Sequence, residues 1–261
     1  MYATDIRSWA LLLLVTACRA PPEAPAEFEA LSAFLFEDLG TDEQQGLEAG
    51  VENLAAWLEA NLDEANEGYT IELLSQASLD ALEVQRERDA AKLVGGAVTT
   101  LSQASVLDLA SAFLLEDQTT IYPDDYVRWD SNFRSDPNCF VSRECDELVV
   151  DNDTVTRLPL SLELTTKNTA QYRWVETEAG PAMLTRSWLR EPADVNLNIF
   201  RVDDQFFLSA NVPTSRGLVR LQSVWVDAAI VGVEVPEATA LNLLIDGLVA
   251  QDEALYAWLA R

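Results

Sequence analysis

Three features of this 261-residue sequence predict an α+β fold. Apolar side chains recur at helical spacing through most of the first half. Further on, runs of β-forming residues are separated by short connectors. A long amphipathic stretch then follows the last of these runs.

The elements follow in order. Glu27 to Leu39 predicts a helix with Phe28, Leu31, Phe34 and Leu35 on one face. A second helix is expected from Thr41, where Gln44 three residues on completes a capping box. Leu47, Val51, Leu54, Leu58 and Leu62 form its apolar stripe. Gly68 ends this stretch, and Tyr69 to Leu74 reads as a short strand. Leu79 to Leu93 reads as helix with exposed charges at Arg86, Glu87 and Arg88, broken by Gly95-Gly96. Ser105 to Glu116 predicts another helix, capped by Ser105 and Asp108, with Val106, Leu109, Ala110 and Phe113 inward.

After Pro123 the pattern changes. Leu160 to Thr165, Gln171 to Thr177, Ala182 to Arg190, Gln205 to Val212 and Leu218 to Val231 read as strands. Their connectors carry turn formers at Ala179-Gly180-Pro181, Val202-Asp203-Asp204 and Pro213-Thr214-Ser215-Arg216-Gly217. Connectors this short predict an antiparallel meander, because parallel strands need long crossovers. Pro236 opens a final helix to Leu259, with Leu241, Leu244, Ile245, Leu248, Leu255 and Leu259 as its stripe. Such a helix is expected to pack across the sheet.

The first residues predict export. Trp9 to Val15 is an apolar run too short to span a bilayer but suited to a signal peptide. Val15-Thr16-Ala17-Cys18 resembles the lipobox of bacterial lipoproteins. That resemblance implies cleavage before Cys18, diacylglycerol on its thiol and acylation of the new amino group. Several acyl chains anchor stably where one is marginal. Arg19, where the lipoprotein sorting pattern would place aspartate for inner-membrane retention, leans toward the outer membrane. The Pro-rich segment from Ala20 to Ala26 is expected to be an extended tether. The expected division is a signal peptide at 1–17, lipidated cysteine and tether at 18–26, a helical part at 27–122, and a sheet with C-terminal helix at 123–261. The last two are expected to form one compact unit.

Composition excludes several functions. The net charge of −27 argues against nucleic acid, which needs a basic surface. It also argues against a polybasic attachment to anionic lipid. The stretch 19–125 holds 23 acidic and 4 basic residues, whereas 126–261 holds 20 and 12. Arg173, Arg186, Arg190, Arg201 and Arg220 on the strands are therefore expected to pair with the acidic helical part, with an anionic head group as the other reading. The absence of histidine removes Ser-His-Asp and Cys-His catalysis and imidazole metal ligation. Lys92 and Lys167 sit in no recognisable motif. Asp151-Asn152-Asp153 hints at a calcium loop, but Thr156 and Leu162 stand where Gly and Glu are required. Asp124-Asp125 and Asp203-Asp204 are turn-like pairs of the kind a very acidic chain contains by chance. No metal, cofactor or catalytic residue is predicted.

With Cys18 lipidated, Cys139 and Cys145 remain, and in an exported chain they favour a disulfide. A redox or metal pair is the alternative, but the spacing is not Cys-x-x-Cys.

The order of the second half, Gln171 to Val231 followed by Pro236 to Leu259, resembles the helix-grip, or START-like, fold. The resemblance implies an apolar cavity for a lipid or similar ligand, lined by Trp174, Trp188, Phe206, Leu208, Trp225 and the helix. The plainer reading is that these aromatics fill the core. The expected function is a membrane-anchored, non-enzymatic lipoprotein of the cell envelope that binds a protein partner or serves a structural role. The alternative is a carrier of a lipid or other apolar ligand. A hydrolase using carboxylates ranks last.

Overall fold

The computed structural model describes residues 23–41, 44–64, 68–83, 86–158, 161–196, 200–230 and 237–261. Cys18, the lipobox, the first part of the tether and Pro236 lie outside them.

Helices α1 (Phe28–Asp38) and α2 (Gln44–Ala60) form where the stripes predict them. Phe28, Leu31 and Leu35 are buried on α1, and Leu47, Val51, Leu54 and Leu58 on α2. The Thr41 hydroxyl donates to the Asp38 carbonyl at 2.9 Å, which closes the end of α1. Helix α4 (Val106–Phe113) carries the expected capping box: the Ser105 hydroxyl accepts from Asp108 N–H while Asp108 accepts from Ser105 N–H. Helix α6 (Glu237–Leu259) follows the last strand, with Ile245 and Leu255 buried.

The strands are β1 (Gly68–Thr70), β2 (Val94–Ser102), β3 (Tyr126–Phe133), β4 (Glu147–Leu158), β5 (Leu162–Thr177), β6 (Gly180–Leu189), β7 (Asp194–Val195), β8 (Phe200–Thr214) and β9 (Gly217–Ile230). Among the described residues they form one antiparallel sheet in the order β1-β2-β9-β8-β6-β5-β4-β3, with β7 beside β5. The α+β class and the expected order of sheet and C-terminal helix are both present. Because β1 and β2 join this sheet, residues 27–122 are not purely helical, and they share their strands with 123–261.

The two sheet faces are covered differently. On one, Leu184, Trp188, Phe206, Leu208, Leu221 and Trp225 pack against α1 and α2 as the main core. The other faces α4, α6 and the short α5 (Pro137–Val141), with Tyr172, Trp174, Met183 and Leu218 in a second cluster. Strand alternation sends neighbouring residues to opposite faces, so each strand serves both layers.

Four expectations are corrected. Leu79 to Leu93 is not a helix: α3 (Gln76–Asp80) ends after five residues. The Gln76 side chain donates to Arg88 O at 3.0 Å and accepts from Ala90 N–H at 3.1 Å, which folds the following segment back along α3. Arg88 is not an exposed charge. It is 7% exposed and reaches Asp204 with its Nε at 3.3 Å, while Arg86 binds the same carboxylate. Gly95-Gly96 does not break structure but lies inside β2. A side chain at Gly95 would meet Trp225 and one at Gly96 would meet Leu241, so the glycines admit packing on both faces. Val202-Asp203-Asp204 is not a connector. It is a bulge within β8, whose extra residue turns Asp204 inward toward Arg86 and Arg88.

The strand arginines find partners, but seldom on the acidic helices. Arg190 pairs with Asp153 and Arg201 with Asp203, both on strands. Arg173 donates to Thr41 O at 2.7 Å and Arg186 to Phe36 O at 3.2 Å, satisfying chain at the end of α1. Arg220 pairs with Asp252 of α6.

Candidate functional site

Between the second sheet face and α6 lies a cavity of about 370 Å³. Its floor is built by the residues that alternation turns away from the main core. Tyr172, Thr185, Ser209 and Gln222 stand side by side across β5, β6, β8 and β9. The next row holds Ala170, Ser187, Phe207 and Val224. Gln222 and Ser209 are each 1% exposed, which means a polar floor has been covered. Buried polar groups are tolerated only with hydrogen-bond partners, so covering such a row is informative.

The side wall is aromatic. Tyr122 and Tyr126 meet edge to face with ring centroids 5.9 Å apart, and Tyr126 meets Trp129 the same way at 4.7 Å. Trp129 Nε1–H donates to Ser131 Oγ at 2.9 Å, Ser131 donates to Asn152 Oδ1 at 2.9 Å, and Asn152 donates to Asn168 Oδ1 at 3.2 Å. This chain orients the two amides on the cavity surface. Leu243, Leu244, Gly247 and Leu248 of α6 form the roof. Leu243 is 67% exposed although it lines the cavity, so that edge opens to solvent.

At one end sits the pair of Arg220 and Asp252. The carboxylate accepts from Arg220, from the Thr100 hydroxyl and, at 2.9 Å, from Gln222 Nε2. Arg220 Nε donates to Ser209 Oγ at 3.1 Å, and the guanidinium lies 4.6 Å over the Phe113 ring. Burial moves the Asp252 carboxyl above the usual carboxylate range, against the pull of Arg220 and Thr100. Burial lowers the Arg220 guanidinium, but Asp252 and the nearby tyrosines outweigh it and move it up. The geometry is that of an ion pair, with three donors converging on one carboxylate. Burial also pushes the hydroxyls of Tyr122 and Tyr172 up to about 12.

The five residues expected to line a cavity do not line this one. Trp188, Phe206, Leu208 and Trp225 have the opposite parity and pack in the core under α1 and α2. Trp174 is on the cavity face but lies beyond its end, stacked on Phe140 at 5.2 Å and donating to Phe140 O at 2.8 Å. Cys139 and Cys145 form a disulfide with Cα atoms 5.3 Å apart, across the turn that carries Phe140. Among the described residues no group of three or more His, Cys, Asp or Glu could hold a metal ion, and no helix is long and apolar enough to cross a membrane. The cavity residues were missed because they are the polar half of each strand. Gln205, Phe207 and Ser209 alternate with Phe206, Leu208 and Ala210, and apolarity alone points to the second set, which packs in the core. The amphipathic stripes of α1 and α2 were the available signal, since they need an apolar sheet face to cover.

No family model and no curated protein matches the chain. Solved structures with a similar course include the STAR-related lipid transfer protein from Xanthomonas axonopodis, at 12% identity and a TM-score of 0.43, covering 64% of this chain and 86% of that one. Human STARD10 aligns at 8% identity and a TM-score of 0.39 over 64% of this chain and 63% of its own. The di-domain ARO/CYC BexL from the BE-7585A biosynthetic pathway aligns at 13% identity and 0.43 over 84% of this chain and 60% of its own. This chain thus spans less than two thirds of the last two.

Proposed function

We propose that this protein is a carrier or sensor that holds one small amphipathic molecule between its sheet and α6. The observation that carries the reading is the cavity itself, which combines a covered polar floor with an aromatic wall. Its 370 Å³ falls at the lower end of the roughly 300–1,000 Å³ of ligand sites. The role proposed is binding rather than catalysis. Among the described lining residues Arg220 is the only charged side chain, and Asp252 already holds it. Native mass spectrometry of the purified chain tests the reading: a co-purifying small molecule, lost in Gly247→Phe, is expected. Gly247 lines the roof with open space beside it, so phenylalanine fits there and narrows the entrance. Loss of nothing in Gly247→Phe, or failure of every candidate ligand to bind the wild type, sinks the proposal.

We further propose that the carrier is held at the cell envelope by lipid on Cys18, most simply at the outer membrane, by the lipobox resemblance of Val15 to Cys18. Labelled palmitate should enter the wild type and not Cys18→Ser, and that variant should leave the membrane fraction. Equal membrane association of both would overturn the anchor and leave the cavity reading intact.

A further inference from the structure

The cavity carries a specific sign of what it takes. Thr185 is 7% exposed and lines the floor, yet among the described residues its hydroxyl oxygen has no hydrogen-bond partner. Its neighbours across the sheet are Tyr172 on β5 and Ser209 on β8, and Ser209 is already engaged by Arg220. A buried hydroxyl without a partner is costly, so a protein that keeps one in a cavity has a use for it.

Charge narrows the choice. Arg220 gives its Nη1–H to Asp252 and its Nε–H to Ser209, and it is capped by the Phe113 ring. A carboxylate or phosphate brought against it would lie beside Asp252, two buried negative charges sharing one cation. A cation would find no carboxylate among the described lining residues. The ring contacts of Tyr122, Tyr126 and Trp129 offer flat apolar surface suited to another ring.

Resting on the ligand-binding reading above, we propose that the occupant is an uncharged, ring-bearing compound with carbonyl or hydroxyl substituents, one of which hydrogen-bonds Thr185. A free fatty acid or a phospholipid head group is a poor match, because each brings an anion with no uncommitted cation among the described lining residues to meet it.

The test uses the full mature chain and two fluorescent probes. Nile red is a neutral fused-ring dye with a carbonyl. Parinaric acid is an anionic acyl chain. Nile red should bind at least roughly 10-fold more tightly than parinaric acid. Thr185→Val keeps the volume and removes the hydroxyl, and should weaken Nile red by roughly 3- to 10-fold, the worth of one neutral hydrogen bond. The same variant without ligand should melt no lower than wild type, since it discards an unsatisfied group, whereas a merely structural threonine would lower the melting point. Tighter binding of parinaric acid overturns the proposal. So does Nile red binding that Gly247→Phe abolishes but Thr185→Val leaves unchanged, and in both cases the carrier reading stands. If neither probe responds to Gly247→Phe, the carrier reading fails and this inference goes with it.

Discussion

Arg220 on β9 and Asp252 on α6 form an ion pair whose side chains are 9% and 1% exposed, tying the closing helix to the sheet at the end of the cavity. Two other donors, Thr100 and Gln222, reach the same carboxylate, so strands β2 and β9 and helix α6 meet at one oxygen pair. Asp252 lies on the helix face that also carries Leu248 and Leu255. The helix is thus positioned by a polar contact with fixed geometry as well as by apolar burial.

The first prediction follows from that geometry. Asp252→Ala leaves a buried guanidinium unpaired and should cost about 3–5 kcal/mol. Denaturant unfolding measures the loss. The double change Arg220→Met with Asp252→Leu should recover most of it, because the penalty comes from the unpaired charge and not from absence of the pair. A double variant as unstable as Asp252→Ala would show that the network does more than neutralise itself.

The sheet makes room for α6 through missing side chains. Gly96 lies under Leu241 and Gly68 under Ile245, and a side chain at either would strike the helix residue above it. Gly96→Val should destabilise by about 1–3 kcal/mol through overpacking. Leu241→Ala alone should also destabilise, yet it should relieve Gly96→Val in the double variant. Coupling of about 0.5–3 kcal/mol in that cycle confirms direct contact, and additive effects refute it.

The buried tyrosines predict alkaline unfolding. Burial raises Tyr122 and Tyr172 to about 12 from an ordinary value near 10. A group raised on folding contributes stability that is complete below its unfolded pKa and lost as pH climbs through its folded one. The contribution of these two should therefore be intact below about pH 10 and fade toward pH 12, worth about 2–3 kcal/mol each. Arg186 opposes this, because burial lowers it to about 10, so the folded chain sheds that buried charge and gains stability over the same range. Two tyrosines outweigh one arginine, so the net slope is negative. Tyrosinate absorbance followed with far-ultraviolet circular dichroism should show ionisation of these residues coinciding with unfolding. Ionisation near pH 10 with the fold intact would contradict it.

What the sequence disclosed depended on which force decided each element. Where one amphipathic stripe buries itself, as in α1, α2, α4 and α6, spacing alone placed the helix. Where the same residues could serve two structures, it did not. Leu79, Leu82 and Leu93 are all buried, as their helical spacing required, but α3 ends early because Arg88 runs inward to Asp204, a partner more than a hundred residues away. Strand β2 was hidden by glycines that read locally as breaks and whose purpose is to admit Trp225 and Leu241. Strands β3 and β4 were hidden by Asp130, Asn132 and Asp151 to Asp153, polar residues that pair across strands or coat the outer face. The site followed the same logic. The fold order was readable, but strand parity, and with it the identity of the binding face, depended on knowing that α1 and α2 claim the apolar side.

The disulfide should stabilise without affecting the cavity. It closes a six-residue separation, for which chain entropy gives about 2 kcal/mol. Its effect is local, because the turn it fixes holds Phe140, which stacks on Trp174 and accepts its indole N–H. The Phe140 ring also meets Tyr172, a floor residue, at 6.1 Å. Removing both thiols in Cys139→Ser with Cys145→Ser should lower the unfolding free energy by up to about 2 kcal/mol. Tryptophan fluorescence should register looser packing around Trp174. Nile red affinity should stay within about twofold, since Thr185 and the aromatic wall are held by strands and not by this turn. A large loss of affinity would mean that the Phe140–Tyr172 contact sets the floor, and would move the turn from a local brace to part of the binding site.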